Sequence, residues 1–166
     1  QGFYHMNSTN NFLNLKKSYN DAKLIITTSK YSVSYLNNMF PDLKKKIFKV
    51  NLSVDSKKFK IKKKSNLITY MPRKLPDHSN LLLFYLKNLL PKNWKILPLI
   101  NVSEKKKIKS FSISKIFLSF SNFEGLGIPP IEAALSGNKV IGYVGGGGSE
   151  YWKKPIFSKV ENGEIQ

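Results

Sequence analysis

Apolar residues fall in short runs that alternate with amphipathic stretches along most of the chain. Runs rich in β-branched and aromatic residues predict strands, and apolar residues at helical spacing predict helices between them. Strands that alternate with helices through short loops indicate right-handed crossovers and a parallel sheet. The predicted fold class is therefore α/β: a Rossmann-like parallel sheet with helices on both faces. The predicted strands are residues 23–28, 46–50, 67–71, 94–102, 115–120 and 139–144, and the predicted helices are 31–40, 79–90, a Lys-rich stretch from 103, and 129–135.

A polar, Lys-rich stretch without a helical stripe interrupts this alternation. Such a stretch is typical of a connector between two folded units. We therefore predict the end of one α/β domain at 1–50, a connector at 51–65 and a second α/β domain at 66–166. The chain has no initiator Met, so we expect it to be a piece of a longer protein.

The basic excess is large, with 28 Lys and Arg against 10 Asp and Glu and a formal charge of +18. Nucleic-acid binding, contact with an anionic membrane surface and a Lys-rich genome composition all remain open explanations. The lysines are spread along the chain, and no aromatic residues interleave with them as a base-stacking platform requires. This pattern argues against nucleic acid as the partner.

Cysteine is absent from the chain, which excludes disulfides and thiolate chemistry. No apolar run approaches the ~18 residues needed to span a bilayer. We expect a cytoplasmic protein, with peripheral contact to the inner face of the membrane as a further expectation. No cluster of His, Asp and Glu has the spacing of a metal site, so no metal ligands are predicted.

Arg73 is the single arginine in a chain that otherwise uses lysine for its basic residues. It follows the predicted strand 67–71, in one of three loops (72–77, 121–128 and 145–149) at the carboxyl edge of the sheet. Ligands of such sheets bind at that edge. The planar guanidinium of arginine binds phosphate through two parallel hydrogen bonds, which lysine does not reproduce.

A glycine- and proline-rich segment follows the strand at 115–120. Its glycines allow close approach of the backbone to a ligand, and the two prolines suit the first turn of a helix. Loop amides and a helix N-terminus together form an anion site. Glu124 and Glu132 flank this site and are candidates to accept hydrogen bonds from sugar or ribose hydroxyls. The alternatives are a solvated loop residue for Glu124 and a carboxylate favoured near a helix N-terminus for Glu132.

Residues 121–133 read Ser-Asn-Phe-Glu-Gly-Leu-Gly-Ile-Pro-Pro-Ile-Glu-Ala, and Gly-Asn-Lys-Val-Ile follows at 137–141 and Gly-Gly-Ser-Glu at 147–150. This order resembles the Glu-x7-Glu region of family 4 glycosyltransferases, which have the GT-B fold. Residues 24–29 are similar to the last strand of the N-terminal domain of such enzymes. Residues 47–59 are similar to the interdomain crossover, and residues 67–74 to the first C-terminal strand with its phosphate-binding arginine.

The resemblance implies transfer of a sugar from a nucleotide-diphosphate donor to an acceptor hydroxyl, with retention and without metal or cofactor. Polysaccharide or glycolipid synthesis, with a glycan or lipid-linked acceptor, is the implied setting. Because most of the acceptor-side domain is missing, the chain alone is expected to be inactive. The resemblance gives Glu124 the catalytic role and assigns donor binding to Arg73, Lys74, Gly125, Leu126, Gly127 and Glu132.

Two departures from the family pattern are visible. Leu126 stands where phenylalanine is usual, and the Lys-Gly pair expected shortly after Arg73 is replaced by His78, Ser79 and Asn80. Lys74 and His78 are the candidates for the second phosphate contact. Two other functions stay open: a basic nucleic-acid-binding module, and a GT-B relative such as a phosphorylase or an epimerase.

Overall fold

The computed structural model describes residues 12–161, with side chains from residue 14. This part of the chain divides into two compact units. The smaller unit comprises the chain up to Ser53 together with Phe123–Gly127 and Gly145–Tyr151. The larger unit comprises Val54–Asn122, Ile128–Val144 and the chain from Trp152.

The first boundary between the units, after Ser53, lies within the predicted connector. The domain limits 1–50, 51–65 and 66–166 remain a prediction. The outer ends of the two predicted domains, 1–11 and 162–166, lie outside the described residues.

The smaller unit is built on two parallel strands, β1 (Ile25–Thr27) and β2 (Ile47–Lys49), with Ile25 opposite Ile47 in the register. Helix α1 (Phe12–Asp21) precedes β1, and helix α2 (Lys30–Met39) connects the strands. Apolar side chains of the strands and of α2 form one cluster, because parallel pairing leaves one strand face for the connecting helix to cover. The buried members of this cluster are Ile25, Leu36, Phe40, Leu43 and Ile47.

The ends of α2 follow from its flanking residues. Ser29 is the N-cap, and its hydroxyl accepts a hydrogen bond from the backbone N–H of Ser32 at 3.1 Å. After Phe40, proline starts a separate 3-10 segment, Pro41–Lys46. The predicted helix at 31–40 is confirmed within one residue at each end.

The larger unit contains a five-stranded parallel sheet with strand order β4-β3-β5-β6-β7. Its strands are β3 (Ser65–Tyr70), β4 (Lys95–Pro98), β5 (Ser114–Ser119), β6 (Lys139–Gly142) and β7 (Phe157–Lys159). Its helices are α3 (Pro76–Leu89), α4 (Glu104–Ile113) and α5 (Ile128–Leu135).

The two faces of this sheet are covered by different helices. On one face, Ile68, Tyr70, Leu118 and Phe120 pack against leucines of α3. On the other face, Phe111 of α4 meets Phe117 edge to face, with ring centroids 5.3 Å apart. Because successive strand residues point to opposite faces, each strand carries apolar side chains on both sides. The α/β prediction, with a parallel sheet covered on both faces, is confirmed.

Three local details differ from the sequence prediction. Helix α3 begins at Pro76 rather than Ser79, because proline is tolerated at the first helical position. Ser79 is buried in the helix, and its hydroxyl donates to the carbonyl of Pro76 at 2.8 Å. Strand β4 ends at Pro98, before Asn101 takes a left-handed φ of 48°. Strand β7 was not predicted at all.

The amino edge of this sheet holds a buried polar network around Asn138, which is 3% exposed. Its amide donates to the carbonyls of Phe111 at 2.8 Å and Ala133 at 2.9 Å, and its oxygen lies 2.5 Å from the Ser114 hydroxyl. Asn138 thereby joins the ends of α4 and α5 to the start of β5. Every polar atom of its amide is therefore matched by a protein partner.

Lys64 lies at the same edge and donates to the carbonyls of Phe111 at 3.2 Å and Ser136 at 2.5 Å. These carbonyls belong to the C-terminal ends of α4 and α5, where a cation is favoured. Burial lowers the pKa of Lys64 from its ordinary value. Helix α5 ends at Leu135, and the turn after it contains Gly137, which has a φ of 79° and whose N–H donates to the carbonyl of Ala134 at 2.9 Å.

In the described part of the chain, no helix has the length and apolar character needed to cross a membrane.

Candidate functional site

The order in which strands are added to the sheet reverses between β3 and β5. The chain places β4 on one side of β3 and then adds β5 on the other side. In open parallel sheets the crevice at such a point, beyond the carboxyl ends of the strands, is the usual ligand position. Arg73 and Lys74 follow β3 at this edge, and Phe120 and Ser121 follow β5. The fold thus presents the single arginine at the edge where the sequence predicted it.

Arg73 is exposed and lies in the short 3-10 segment Pro72–Lys74. Its side chain makes no hydrogen bond or ion pair with any residue of the described range 12–161. An exposed guanidinium that the protein does not engage keeps its planar set of donors for a ligand such as a phosphate. Lys74, next to it, is half-buried.

His78, the other candidate for a phosphate contact, is already engaged in this structure. Its Nδ1 lies 2.9 Å from the hydroxyl of Tyr143, and the two rings meet edge to face. Tyr143 follows β6 at the same sheet edge, and its ring in turn meets that of Phe120 edge to face. One ring nitrogen of His78 therefore has a protein partner, which leaves the other as its remaining polar atom.

Glu132 lies in the second turn of α5 and is buried, with 9% of its side chain exposed. Its two carboxylate oxygens lie 2.7 Å and 2.6 Å from Nζ of Lys107. Lys107 belongs to the second turn of α4, and 19% of its side chain is exposed. The carboxylate predicted to hold ribose is thus held from one side by an ammonium.

Lys107 was not predicted as a site residue. It is one of many lysines, 25 residues before Glu132, in a stretch recognised only as a Lys-rich helix. The sequence does contain one indication of its position, the N-cap of α4. Ser103 caps this helix and accepts a hydrogen bond from the N–H of Lys106 at 3.3 Å, and this start of the helix determines which residues form its second turn.

Glu124 belongs to the smaller unit, where the segments Phe123–Gly127 and Gly145–Tyr151 pair with each other. Its N–H donates to the carbonyl of Gly145 at 2.7 Å, and its carbonyl accepts from Gly147 at 3.2 Å. These bonds form an isolated parallel bridge between Glu124 and Gly146. The backbone of Glu124 is therefore fixed, although its side chain is only half-buried.

The glycines of these two segments are required by close packing. A Cβ on Gly147 would lie 1.9 Å from the carbonyl oxygen of Gly125, and a Cβ on Gly146 would lie 2.5 Å from the ring of Tyr31. A Cβ on Gly125 would lie 3.0 Å from the Thr28 hydroxyl. The glycine run after β6 therefore allows two backbones to meet.

Tyr151 fixes the end of the same loop. Its hydroxyl donates to the carbonyl of Gly127 at 2.6 Å. Burial, together with the negative charge of Glu124, raises the pKa of Tyr151 well above its ordinary value. The phenol therefore stays protonated and keeps donating its hydrogen bond to the loop.

Glu150 completes the pairing with α2. It accepts a short hydrogen bond from the N–H of Lys30, the first residue of that helix, and its second oxygen lies 3.5 Å from Nζ of Lys49. A carboxylate at a helix N-terminus is stabilised by the helix dipole. The segment after the glycine run is thus anchored to the helix of its own unit.

The predicted site residues are consequently divided between the units, as follows. Arg73, Lys74 and Glu132 belong to the larger unit, and Glu124, Gly125, Leu126 and Gly127 belong to the smaller one. Among the described residues no group of three or more His, Asp or Glu side chains is arranged to hold a metal ion. The roles of the seven residues remain predictions.

No family model matches the chain, and no curated protein matches its sequence. Solved structures do match its fold. A glycosyltransferase from Rickettsia africae ESF-5 is 17% identical, with a TM-score of 0.60 over 92% of this chain and 54% of that chain. A GtfA/B complex is 16% identical, with a TM-score of 0.60 over 95% of this chain and 38% of that chain.

These similarities show the fold alone: a parallel sheet flanked by helices, similar to that of glycosyltransferase domains of the GT-B type. The chain spans about half the length of the first of these structures and less of the second.

Proposed function

We propose that this chain is the donor-binding part of a glycosyltransferase that uses a nucleotide-diphosphate sugar. The observation that carries the proposal is the exposed, unengaged Arg73 beside the point where the strand order reverses. The fold shared with solved glycosyltransferases supports it. So does the ordered match of residues 121–133 to the Glu-x7-Glu region.

In this proposal each residue has a defined task. Arg73 binds the donor diphosphate, with Lys74 beside it, and Glu132 accepts hydrogen bonds from the ribose hydroxyls. The backbone of Gly125, Leu126 and Gly127 stabilises the leaving diphosphate, and Glu124 orients the donor sugar. The bridge that fixes the Glu124 backbone supports a positioning task for this loop.

The finer features of the activity belong to the same proposal. They are family 4 membership, retention at the anomeric carbon, independence of metal and cofactor, and a glycan or lipid-linked acceptor in polysaccharide or glycolipid synthesis. A cytoplasmic location is proposed with them.

Peripheral contact with an anionic membrane is also proposed, on the basis of α3. Its outer side exposes Leu81, Phe84, Tyr85 and Leu89, of which Phe84 is 70% and Leu89 76% exposed. Apolar and aromatic residues on a basic protein favour binding to anionic interfaces. Sedimentation with anionic vesicles, but not with neutral ones, should therefore decrease in the Phe84→Ser/Leu89→Ser variant.

Isothermal titration of the 166-residue chain with uridine, guanosine and adenosine diphosphates tests the central proposal. We expect one of them to bind, and Arg73→Ala and Glu132→Gln each to weaken it by about tenfold, as expected for the loss of a charged hydrogen-bond partner. Lys105→Ala, which removes an exposed lysine of α4, is the control and should bind normally.

Three results would overturn the proposal. One is a wild type that binds none of the three diphosphates, and another is equal affinity in the wild type, Arg73→Ala and Glu132→Gln. The third is tight, salt-sensitive binding of DNA without nucleotide binding, which would favour the basic nucleic-acid-binding module.

A further inference from the structure

Lys107 is the residue of the larger unit whose contacts call for a function that the sequence did not give it. Its ammonium contacts both oxygens of Glu132, at 2.7 Å and 2.6 Å. Both side chains are largely buried, at 19% and 9% exposure. A buried carboxylate is costly unless a cation and hydrogen bonds compensate it. The Lys107 ammonium therefore compensates the buried carboxylate and sets the orientation of the Glu132 side chain.

We propose that Lys107 is a positioning residue for nucleotide recognition: it holds the Glu132 carboxylate in the orientation in which it accepts hydrogen bonds from the 2′ and 3′ hydroxyls of ribose. This inference rests on the proposed function. It adds a residue to the donor site, and it predicts a specificity for ribonucleotides over 2′-deoxyribonucleotides.

The chemistry of the pair fits this task. An ionised carboxylate has about four positions at which it accepts hydrogen bonds. Lys107 donates to Oε1 at 2.7 Å. Oε2 lies 2.6 Å from the same ammonium, but it is buried and has no hydrogen-bond partner among the described residues. Each oxygen therefore keeps a position for a further donor. Two adjacent ribose hydroxyls match two such acceptors, and hydrogen bonds to a charged acceptor are stronger than neutral ones.

Capping and hydrogen bonds fix the two helices that carry the pair. Ser103 caps α4 one turn before Lys107, and the two prolines of α5 lie in the turn before Glu132. Asn138 joins the far ends of the same two helices through the carbonyls of Phe111 and Ala133. Packing of the helix backbones therefore sets the spacing of the two side chains, and the ion pair acts on the carboxylate alone.

The test compares the affinities of one nucleoside diphosphate and its 2′-deoxy form, using whichever base binds best to the wild type. We expect the wild type to prefer the ribose form by about tenfold, the value of one charge-assisted hydrogen bond. Lys107→Met should reduce this preference to about twofold or less. Lys107→Arg should restore most of it, and Lys105→Met, on the exposed side of α4, should keep it entirely.

A second pair of variants tests whether Lys107 acts through Glu132. This pair also provides a test if Lys107→Met alone folds poorly. In the Glu132→Gln background, where no buried carboxylate remains to be compensated, adding Lys107→Met should change neither the affinity nor the ribose preference. A further loss of preference in the double variant would overturn the inference, because Lys107 would then act independently of Glu132.

The outcomes separate this inference from the proposed function. A wild type that binds no nucleoside diphosphate overturns both. A wild type that prefers ribose, with the same preference in Lys107→Met, overturns only the positioning role of Lys107. In that case the ion pair stabilises the fold and does not act in recognition.

Discussion

Polar residues at the two edges of the five-stranded sheet have opposite surroundings. At the amino edge, Asn138 and Lys64 are bonded to backbone carbonyls of α4 and α5. At the carboxyl edge, Arg73 is exposed and has no partner within residues 12–161. Polar groups that are hydrogen-bonded within the protein stabilise the fold, whereas an exposed charged group is available to bind a ligand. Substitutions at the two edges should therefore change different measured quantities.

The largest effect is expected from Gly142→Ala, at the end of β6. Gly142 has a φ of 130°, and a Cβ there would lie 2.2 Å from the carbonyl oxygen of Ser119 on the neighbouring strand. We expect a loss of about 3 kcal/mol or more in the free energy of unfolding, measured by urea denaturation. Gly142 lies at the carboxyl edge, yet it is needed for the fold. The contrast between the two edges therefore does not apply to every residue of the carboxyl edge. An unchanged unfolding midpoint would show that the strand end relaxes freely.

Asn138→Ala, at the amino edge, should have the next largest effect on the free energy of unfolding. It leaves the Ser114 hydroxyl and the carbonyl of Phe111 with fewer buried partners. We expect about 2–4 kcal/mol of destabilisation. Nucleoside diphosphate affinity, measured where the variant is still folded, should stay within about twofold of the wild type. A selective loss of affinity would contradict the separation of the edges.

Lys64→Met should cost about 1–2 kcal/mol at neutral pH, because it removes the donor to two helix ends. The pKa of Lys64 is lowered in the folded protein, so the unfolded chain binds more protons just below the ordinary value of 10.5. The stability of the wild type relative to Lys64→Met should therefore rise as pH increases towards 10.5. Parallel urea titrations from pH 7 to about 10 measure this difference, and a falling difference would contradict the burial of the amine.

Arg73→Lys should have the smallest effect on the fold and a distinct effect on binding. The free energy of unfolding should change by less than about 0.5 kcal/mol, because Arg73 is exposed. Affinity for nucleoside diphosphate should fall by about three- to tenfold, because lysine does not form the two parallel bonds of a guanidinium. Titration calorimetry with a parallel thermal melt distinguishes the two quantities. Equal affinity would mean that only the charge at this position matters.

The pattern of apolar residues predicted much of the fold, since burial of each strand and helix depends on local spacing. The helices around Val33, Leu82 and Ala133 and the strands around Ile68 and Phe117 lie where predicted. Strand β7 was missed because Phe157–Lys159 is too short for a pattern. Its position depends on pairing with β6, a tertiary contact.

The site was predictable where motif residues are close in sequence, and unpredictable where packing brings distant residues together. The position of Arg73 after β3 follows from the strand and its loop. The pairing of Lys107 with Glu132 does not, because every lysine of the Lys-rich helix has the same local pattern. Likewise, the contact between Gly147 and Gly125 depends on the meeting of two loops, and the four glycines alone do not specify it.

The membership of Phe123–Gly127 and Gly145–Tyr151 in the smaller unit has a practical consequence for dissecting the protein. A truncated chain beginning at residue 66 would keep both segments but lose Thr28, Tyr31 and the amide of Lys30, against which they pack. Limited proteolysis of such a piece should cut within the glycine run, whereas the 166-residue chain should be protected there. The predicted domain limit at residue 66 is thus a poor cutting point for expression, because two loops that follow it in the sequence belong to the smaller unit.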